Sequence, residues 1–410
     1  MAIVKPFVCI HPARGRFKEV AALPYDVYSR AEAKAFVADK PYSFLNIDRP
    51  ETQFPDEQDM YADCVYEKAA SMLNEWQKDG ILKQEEKACY FIYSLTMKGR
   101  EQTGIVGCSS VDDYLNEVIR KHEFTLEEKE LDRIRHVDVC SAQTGPIFLA
   151  YRKRENISEL VRQVKTEPPF FDFVSEDGVR HTGWRVESEE INRALEAAFA
   201  EVPRTYIADG HHRCASAVKV ALKRREANPG YTGKEDFNYF LSILFPDDEL
   251  RILPYNRMVK DLNGLTEEEF LHKVEEKFSI RRFSTVVNPP RKGTYGMYLG
   301  GRWYLLEQKA KYKKEDCVES LDVAYLQNEL LAPVLGIQDP KTDHRIEFCG
   351  GIRGTEYLEK CCRTDRKAAF SMYPTSIREL FAVADEDRMM PPKSTWFEPK
   401  LRSGLFIHAF

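Results

Sequence analysis

An apolar strand that runs straight into a helix through Asp209-Gly210 sets the strictest condition on how this chain can fold. Thr205-Tyr206-Ile207 has the β-branched and aromatic character of a buried strand, and Ala215 to Ala221 spaces its apolar residues as a helix does. The turn between them carries Asp209, Gly210, His211, His212 and Arg213. Glycine permits a tight turn and close backbone approach, while the N–H groups and macrodipole at a helix start favour an anion. His211, His212 and Arg213 add side-chain donors, and a guanidinium grips two phosphate oxygens at once. Asp209 is placed either to hold a magnesium ion or to orient a histidine. The plainer alternative is an Asp-Gly turn whose aspartate caps a solvated helical turn. Zinc fits poorly, because helical zinc sites use histidines four residues apart and His211 and His212 are adjacent.

Around this turn, strands and helices follow one another without the regular alternation of a doubly wound fold, so the expected class is α+β with a mixed sheet. Strands are expected at Ile3 to Ile10, at Ala88 to Met97 with Gly104 to Val111 as a hairpin, and at Ile147 to Tyr151. Further pairs are expected at Phe170 to Val174 with Val179 to Val186, and at Tyr239 to Phe245 with Leu250 to Leu253. Asp56 to Lys78 reads as an amphipathic helix packed on a sheet and stopped by Gly80, and Thr125 to Arg135 as a charged helix opened by a Thr125-Leu126-Glu127-Glu128 capping box. Ser188 is the expected N-cap of a helix to Ala200. The domain expectation is a core over 1–260 with insertions, an α+β insertion over 261–320, and a C-terminal segment over 321–410 that packs back on the core. Its last strand, Leu405 to His408, would rejoin the main sheet.

Composition narrows the function. A net charge of -6 argues against holding nucleic acid by bulk electrostatics. No apolar run reaches bilayer length, and Met1-Ala2-Ile3-Val4-Lys5-Pro6 lacks a secretory layout, so the cytoplasm is the expected location, with no membrane partner. There is no Gly-x-x-x-x-Gly-Lys-Ser/Thr loop, no Gly-x-Gly-x-x-Gly fingerprint and no His-Glu-x-x-His, which disfavours P-loop, Rossmann and zincin mechanisms. Cys214 is either a low-pKa thiol or a small packing residue, the second reading being preferred. Lys129, Asp132 and Arg133 read as a surface network on one helix, with Arg133 alternatively facing a phosphate. Gly350-Gly351-Ile352-Arg353-Gly354 fits an anion nest or simple hairpin geometry.

Asp209-Gly210-His211-His212-Arg213 resembles the Asp-Gly-His-His-Arg signature of free serine kinases, members of the ParB and sulfiredoxin superfamily. Ala22-Leu23-Pro24-Tyr25-Asp26-Val27, Lys121-His122-Glu123-Phe124-Thr125 and Met390-Pro391-Pro392-Lys393-Ser394-Thr395 are similar to segments of a bacterial family catalogued as a domain of unknown function. The resemblance implies a ParB/sulfiredoxin-like nucleotide-binding core with large insertions. It also implies a kinase that phosphorylates free L-serine or a similar hydroxy acid with ATP or ADP and Mg2+, in either direction. It makes Glu123, beside His122, the candidate base, where the residue alone reads equally as an acid favoured by a helix start. Asp209 to Arg213 would hold phosphates and metal, and Lys393, Ser394 and Thr395 would contact phosphate unless that proline-stiffened loop is a structural clamp. Tyr25 and Asp26 would line the substrate pocket, Asp26 being equally an Asx-turn residue. A nucleotide-binding regulator and a metal-dependent nuclease are the rival functions, and a homo-oligomer is left open.

Overall fold

The computed structural model describes residues 1–410, the side chain of Lys129 excepted. The chain divides into two compact units. The first comprises Met1–Lys121, Thr125–Leu250 and Pro399–Phe410; the second comprises His122–Phe124 and Arg251–Glu398.

The first unit is built on a nine-stranded sheet. Its path runs Ile119–Arg120, Thr205–Asp209, Ile147–Tyr151, Tyr239–Pro246, Arg100–Ser110, Phe91–Met97, Arg180–Arg185 and Phe171–Val174, with Val4–Lys5 also paired to Arg100–Ser110. Thr205–Asp209 is parallel to Ile119–Arg120 and antiparallel to Ile147–Tyr151, which is itself parallel to Tyr239–Pro246. The sheet is therefore mixed and the class α+β, as the irregular order of elements requires. Phe91–Met97 turns into Arg100–Ser110 through Lys98 and Gly99, both at positive φ (52° and 78°), the two-residue geometry whose twist matches the strands it joins. Ser188 caps the helix Glu189–Phe199, its side chain accepting from the Ile191 N–H. Val164, Leu195, Phe199, Val218 and Ala221 bury helix faces in one core with Ile105, Leu149, Ile207 and Phe240 of the sheet.

Several elements differ from their sequence expectations. The long helix spans Asp63–Lys78, because the Asp59 carboxylate accepts from the Tyr61 N–H in the turns before it. It packs on the helices Leu45–Asp48 and Glu127–Cys140, with Met72, Leu73 and Trp76 joining Phe44 and Ile47 in a second core. The charged helix spans Glu127–Cys140 with Leu126 as N-cap and no side-chain cap; His212 Nε2 takes the Leu126 N–H at 3.0 Å. Ile3 to Ile10 splits into Val4–Lys5 and Ile10–Pro12, the latter paired with Leu82–Gln84. The end of the chain stays outside the nine-stranded sheet: His408–Ala409 pairs with Ala142–Gln143, and Ile407 bridges Ile10.

The second unit holds a six-stranded antiparallel sheet in the order Phe278–Phe283, Arg302–Gln308, Thr294–Leu299, Ala368–Ser371, Tyr255–Val259, Ile346–Gly350. Ile252–Leu253 pairs with Trp396–Phe397 rather than with Tyr239–Pro246. The glycine cluster at 350–354 has a packing reason. A Cβ on Gly350 would lie 2.6 Å from the Trp396 ring, and one on Gly351 2.8 Å from Pro254.

Candidate functional site

The strand Thr205–Asp209 delivers its last side chain, Asp209, to the start of the helix His211–Ala227. Gly210 is the N-cap at φ 92°, ψ 33°, left-handed backbone that a side chain rarely adopts, and no side chain caps this helix end. A Cβ at Gly210 would sit 3.0 Å from Arg213 Nη2, so the glycine is the surface against which the Arg213 guanidinium lies. Arg213 Nη1 also donates to the Pro146 carbonyl, which fixes the fork. Asp209 Oδ1 accepts from the Gly210 N–H at 2.8 Å, and Oδ2 pairs with Lys400 Nζ at 2.8 Å. Burial pushes Asp209 up, but Lys400 and Arg213 outweigh it and hold its carboxyl well below the usual carboxylate range. The Asp209 side chain keeps 30% of its surface open, so this end of the turn can be reached from outside.

The two histidines have different work. His212 accepts the Leu126 N–H at Nε2, which ties the helix His211–Ala227 to the start of Glu127–Cys140. Lys219 with Glu130, and Lys223 and Arg224 with Asp138, hold the same two helices together further along. His211 is 6% exposed. Burial drives its pKa from 6.5 down to about 4, with Asp209 opposing and His212 and Lys121 adding to the fall. A base whose folded pKa is depressed stays neutral in the fold while the unfolded chain takes up its proton. Stability is then full above pH 6.5 and falls as pH drops from there toward 4. His211 alone should cost about 2 kcal/mol on going from pH 7 to about pH 5, read as a lower urea midpoint. His211→Gln should flatten that dependence; an unaltered slope contradicts a buried neutral His211. Cys214 is fully enclosed and burial raises its thiol, which makes it the packing residue.

Behind the turn lies a small cavity of about 30 Å³, lined by Ile147, Val137 and Ala217 as well as by Tyr25, Arg133 and Arg213. That volume holds a water or two. Arg133 is 6% exposed rather than on the surface. It stacks on the Tyr25 ring at 4.0 Å, pairs with Asp132 at 2.9 Å and donates to the Asp48 carbonyl at 3.3 Å. Asp48, 2% exposed, accepts from Thr144 Oγ1 at 2.7 Å. Burial pushes the Tyr25 phenol up to about 12. Asp26, the next residue, is exposed.

The first unit thus brings together Asp209, Gly210, His211, Arg213 and Tyr25, and adds Lys400 and Arg133. Lys400 closes the proline-bearing run Met390 to Lys400, but Lys393 is the lysine the Met390 to Thr395 motif favours. Arg133 carries the right charge, yet nothing in a run of charged residues tells a buried arginine from a solvated one.

His122, Glu123, Lys393, Ser394 and Thr395 belong to the second unit. The His122 carbonyl accepts from the Met390 N–H at 2.8 Å, which fixes Glu123 beside the Pro391-Pro392 loop. Lys393 is exposed at φ 59°, its carbonyl accepting from Arg257 at 3.1 Å. Ser394 is buried, its hydroxyl donating to the Pro391 carbonyl at 2.6 Å and its carbonyl accepting from Thr375 at 3.0 Å. Thr395 is half-buried.

The chain belongs to the family described as "Protein of unknown function (DUF1015)", which matches residues 4–324. Its sequence matches no curated protein. Among solved structures it is similar to a free serine kinase in complex with AMP, at 12% identity over 74% of this chain and 91% of that one, TM-score 0.36. It is similar to SbnI with a C-terminal truncation from Staphylococcus aureus, at 11% identity over 72% and 82%, TM-score 0.38. A conserved hypothetical protein from Pyrococcus furiosus gives 11% identity over 74% and 95%, TM-score 0.36. No helix among the described residues is long and apolar enough to cross a membrane.

Proposed function

We propose that this protein is a small-molecule kinase with a ParB/sulfiredoxin-like core, transferring a phosphoryl group from ATP or ADP to the hydroxyl of free L-serine or a similar hydroxy acid. The observation that carries this reading is the helix start at Gly210. A positive-φ glycine with no side-chain cap stands at the end of a buried strand, with the Arg213 guanidinium packed under it and Lys400 beside it. Such an arrangement suits the oxygens of a phosphate chain, which take backbone N–H groups, a macrodipole and fixed cations together. The Asp-Gly-His-His-Arg signature makes a nucleotide the expected bearer of those phosphates.

In this reading Arg213 and Lys400 meet the charge that builds on the phosphoryl oxygens, and Tyr25 positions the acceptor. Glu123 takes the proton from the acceptor hydroxyl, whose oxygen bonds to phosphorus as the bond to the nucleotide leaving group breaks. Its role rests on the likeness of His122-Glu123 to the free serine kinase segment. Magnesium is usually held by one or two carboxylates together with the nucleotide's own phosphates, and Asp209 is the carboxylate this turn offers. Bound there, the ion would neutralise phosphate charge. Lys400, already paired with Asp209, lets the site stay balanced before nucleotide arrives.

Arg213→Met should weaken ADP binding by about 10- to 100-fold in isothermal titration calorimetry, since a charge-assisted contact to phosphate is lost, while the melting curve stays cooperative. Unchanged affinity removes Arg213 from the phosphate site. ADP binding with no product from any hydroxy acid instead favours a nucleotide-binding regulator.

A further inference from the structure

We propose that the acceptor pocket is the cavity of about 210 Å³ lined by Tyr25, Asp26, Arg49, Glu51, Asp132 and Arg133, and that it selects an α-amino acid. Glu51 and Asp26 read the ammonium and Arg49 reads the carboxylate. The inference rests on the kinase reading, which it narrows from any hydroxy acid to one that carries a primary amine. Pockets for drug-sized ligands run to about 300 to 1,000 Å³, so this smaller cavity suits a compact acceptor and excludes a nucleotide.

Arg49 and Glu51 are 8% and 3% exposed. Arg49 Nε donates to Glu51 Oε1 at 2.5 Å, and its Nη1 donates to the Tyr25 and Tyr28 carbonyls at 3.0 and 2.8 Å. One guanidinium thus fixes the glutamate and the backbone of the Tyr25-Asp26 turn together. Each partner of the pair has one polar atom left over. Arg49 Nη2 and Glu51 Oε2 bond no described residue, yet neither is enclosed, and both open on the cavity that their residues line. The Tyr25 hydroxyl is likewise unpartnered and open, and burial keeps it protonated. A spare carboxylate oxygen beside a spare guanidinium nitrogen matches the two charged ends of a zwitterion, each taken by a charge-assisted hydrogen bond.

The charge of the wall decides which end matters more. Glu51 is answered by Arg49, and Asp132 by Arg133 at 2.9 Å. Asp26 is exposed and forms no ion pair with any described residue. Three carboxylates therefore face two guanidinium groups across the cavity. That surplus favours a ligand bearing an ammonium and opposes one whose only charge is a carboxylate.

The test is calorimetry of the full chain with L-serine as probe, with and without ADP. Glycerate, in which a hydroxyl replaces the amine, and ethanolamine, which lacks the carboxylate, serve as controls. L-serine should bind saturably, with both controls at least about tenfold weaker. Glu51→Gln, which keeps an oxygen for Arg49 but removes the charge, should weaken L-serine about tenfold and leave ADP affinity unchanged. Should Glu51→Gln fail to fold, Asp26→Asn, on an exposed residue, replaces it with an expected loss of about threefold. No saturation by L-serine, glycerate binding as tightly, or L-serine affinity unaltered in the variant each overturns the proposal. Amine-dependent binding without phosphoryl transfer would remove the kinase reading and keep the amino-acid pocket. Transfer to glycerate as fast as to L-serine would remove the selectivity and keep the kinase.

Discussion

Glu123→Gln should reduce phosphoryl transfer by about 10² to 10⁴ while ADP affinity stays within a few fold. Glutamine keeps the shape and a hydrogen-bond acceptor but cannot take a proton, so the substitution separates base catalysis from binding. The loss should fall on kcat rather than KM, because the carboxylate acts on the hydroxyl proton as the transition state forms. Glu123→Asp should recover part of the rate. The backbone at this point is fixed by the His122 carbonyl's bond from Met390, which neither substitution disturbs. Retained turnover in Glu123→Gln removes the residue from the chemistry.

The largest stability effect is expected at Arg133. Its guanidinium is enclosed, faces Asp132 at 2.9 Å and covers the Tyr25 ring. Burial pushes Asp132 up, but Arg133 and the Tyr66 hydroxyl outweigh it and keep the carboxylate charged. Arg133→Leu would leave that charge, and the nearby Asp48, in a poorly solvated place without their cation. Removing one partner of a buried pair costs about 3 to 5 kcal/mol. Urea unfolding should show the loss, and the double variant Arg133→Leu with Asp132→Leu should recover much of it, because the carboxylate that faced Arg133 most closely is then gone as well. A loss below about 1 kcal/mol would mean that Arg133 is effectively solvated, as the sequence reading supposed.

What was legible in the sequence was local. The passage from Ile207 through Gly210 into a helix needs only an apolar run, a glycine and helical spacing, and all three lie within a few residues. The Lys98-Gly99 hairpin and the Ser188 cap are legible for the same reason. What failed was long-range. Lys400 reaches Asp209 across 191 positions, and no local pattern distinguishes it from Lys393. Arg133 looked solvated because charge alone does not report what closes over a side chain, here Tyr25. The start of the helix Glu127–Cys140 was assigned to Thr125, since a capping box is visible in sequence, whereas the histidine that takes the Leu126 N–H comes from another helix. Leu405 to His408 reads as a strand, yet an apolar run does not name its partner, and Ala142–Gln143 outcompeted the large sheet.

The measurement that bears most directly on the central claim is phosphorus NMR of the purified protein with magnesium, ATP or ADP, and L-serine beside a panel of hydroxy acids. The account predicts a phosphomonoester resonance, O-phosphoserine or its analogue, that grows as the nucleotide loses its terminal phosphate and that is absent with Glu123→Gln. Nucleotide signals that stay unchanged with every acceptor, in a protein that neither binds ADP nor responds to Arg213→Met, would contradict it.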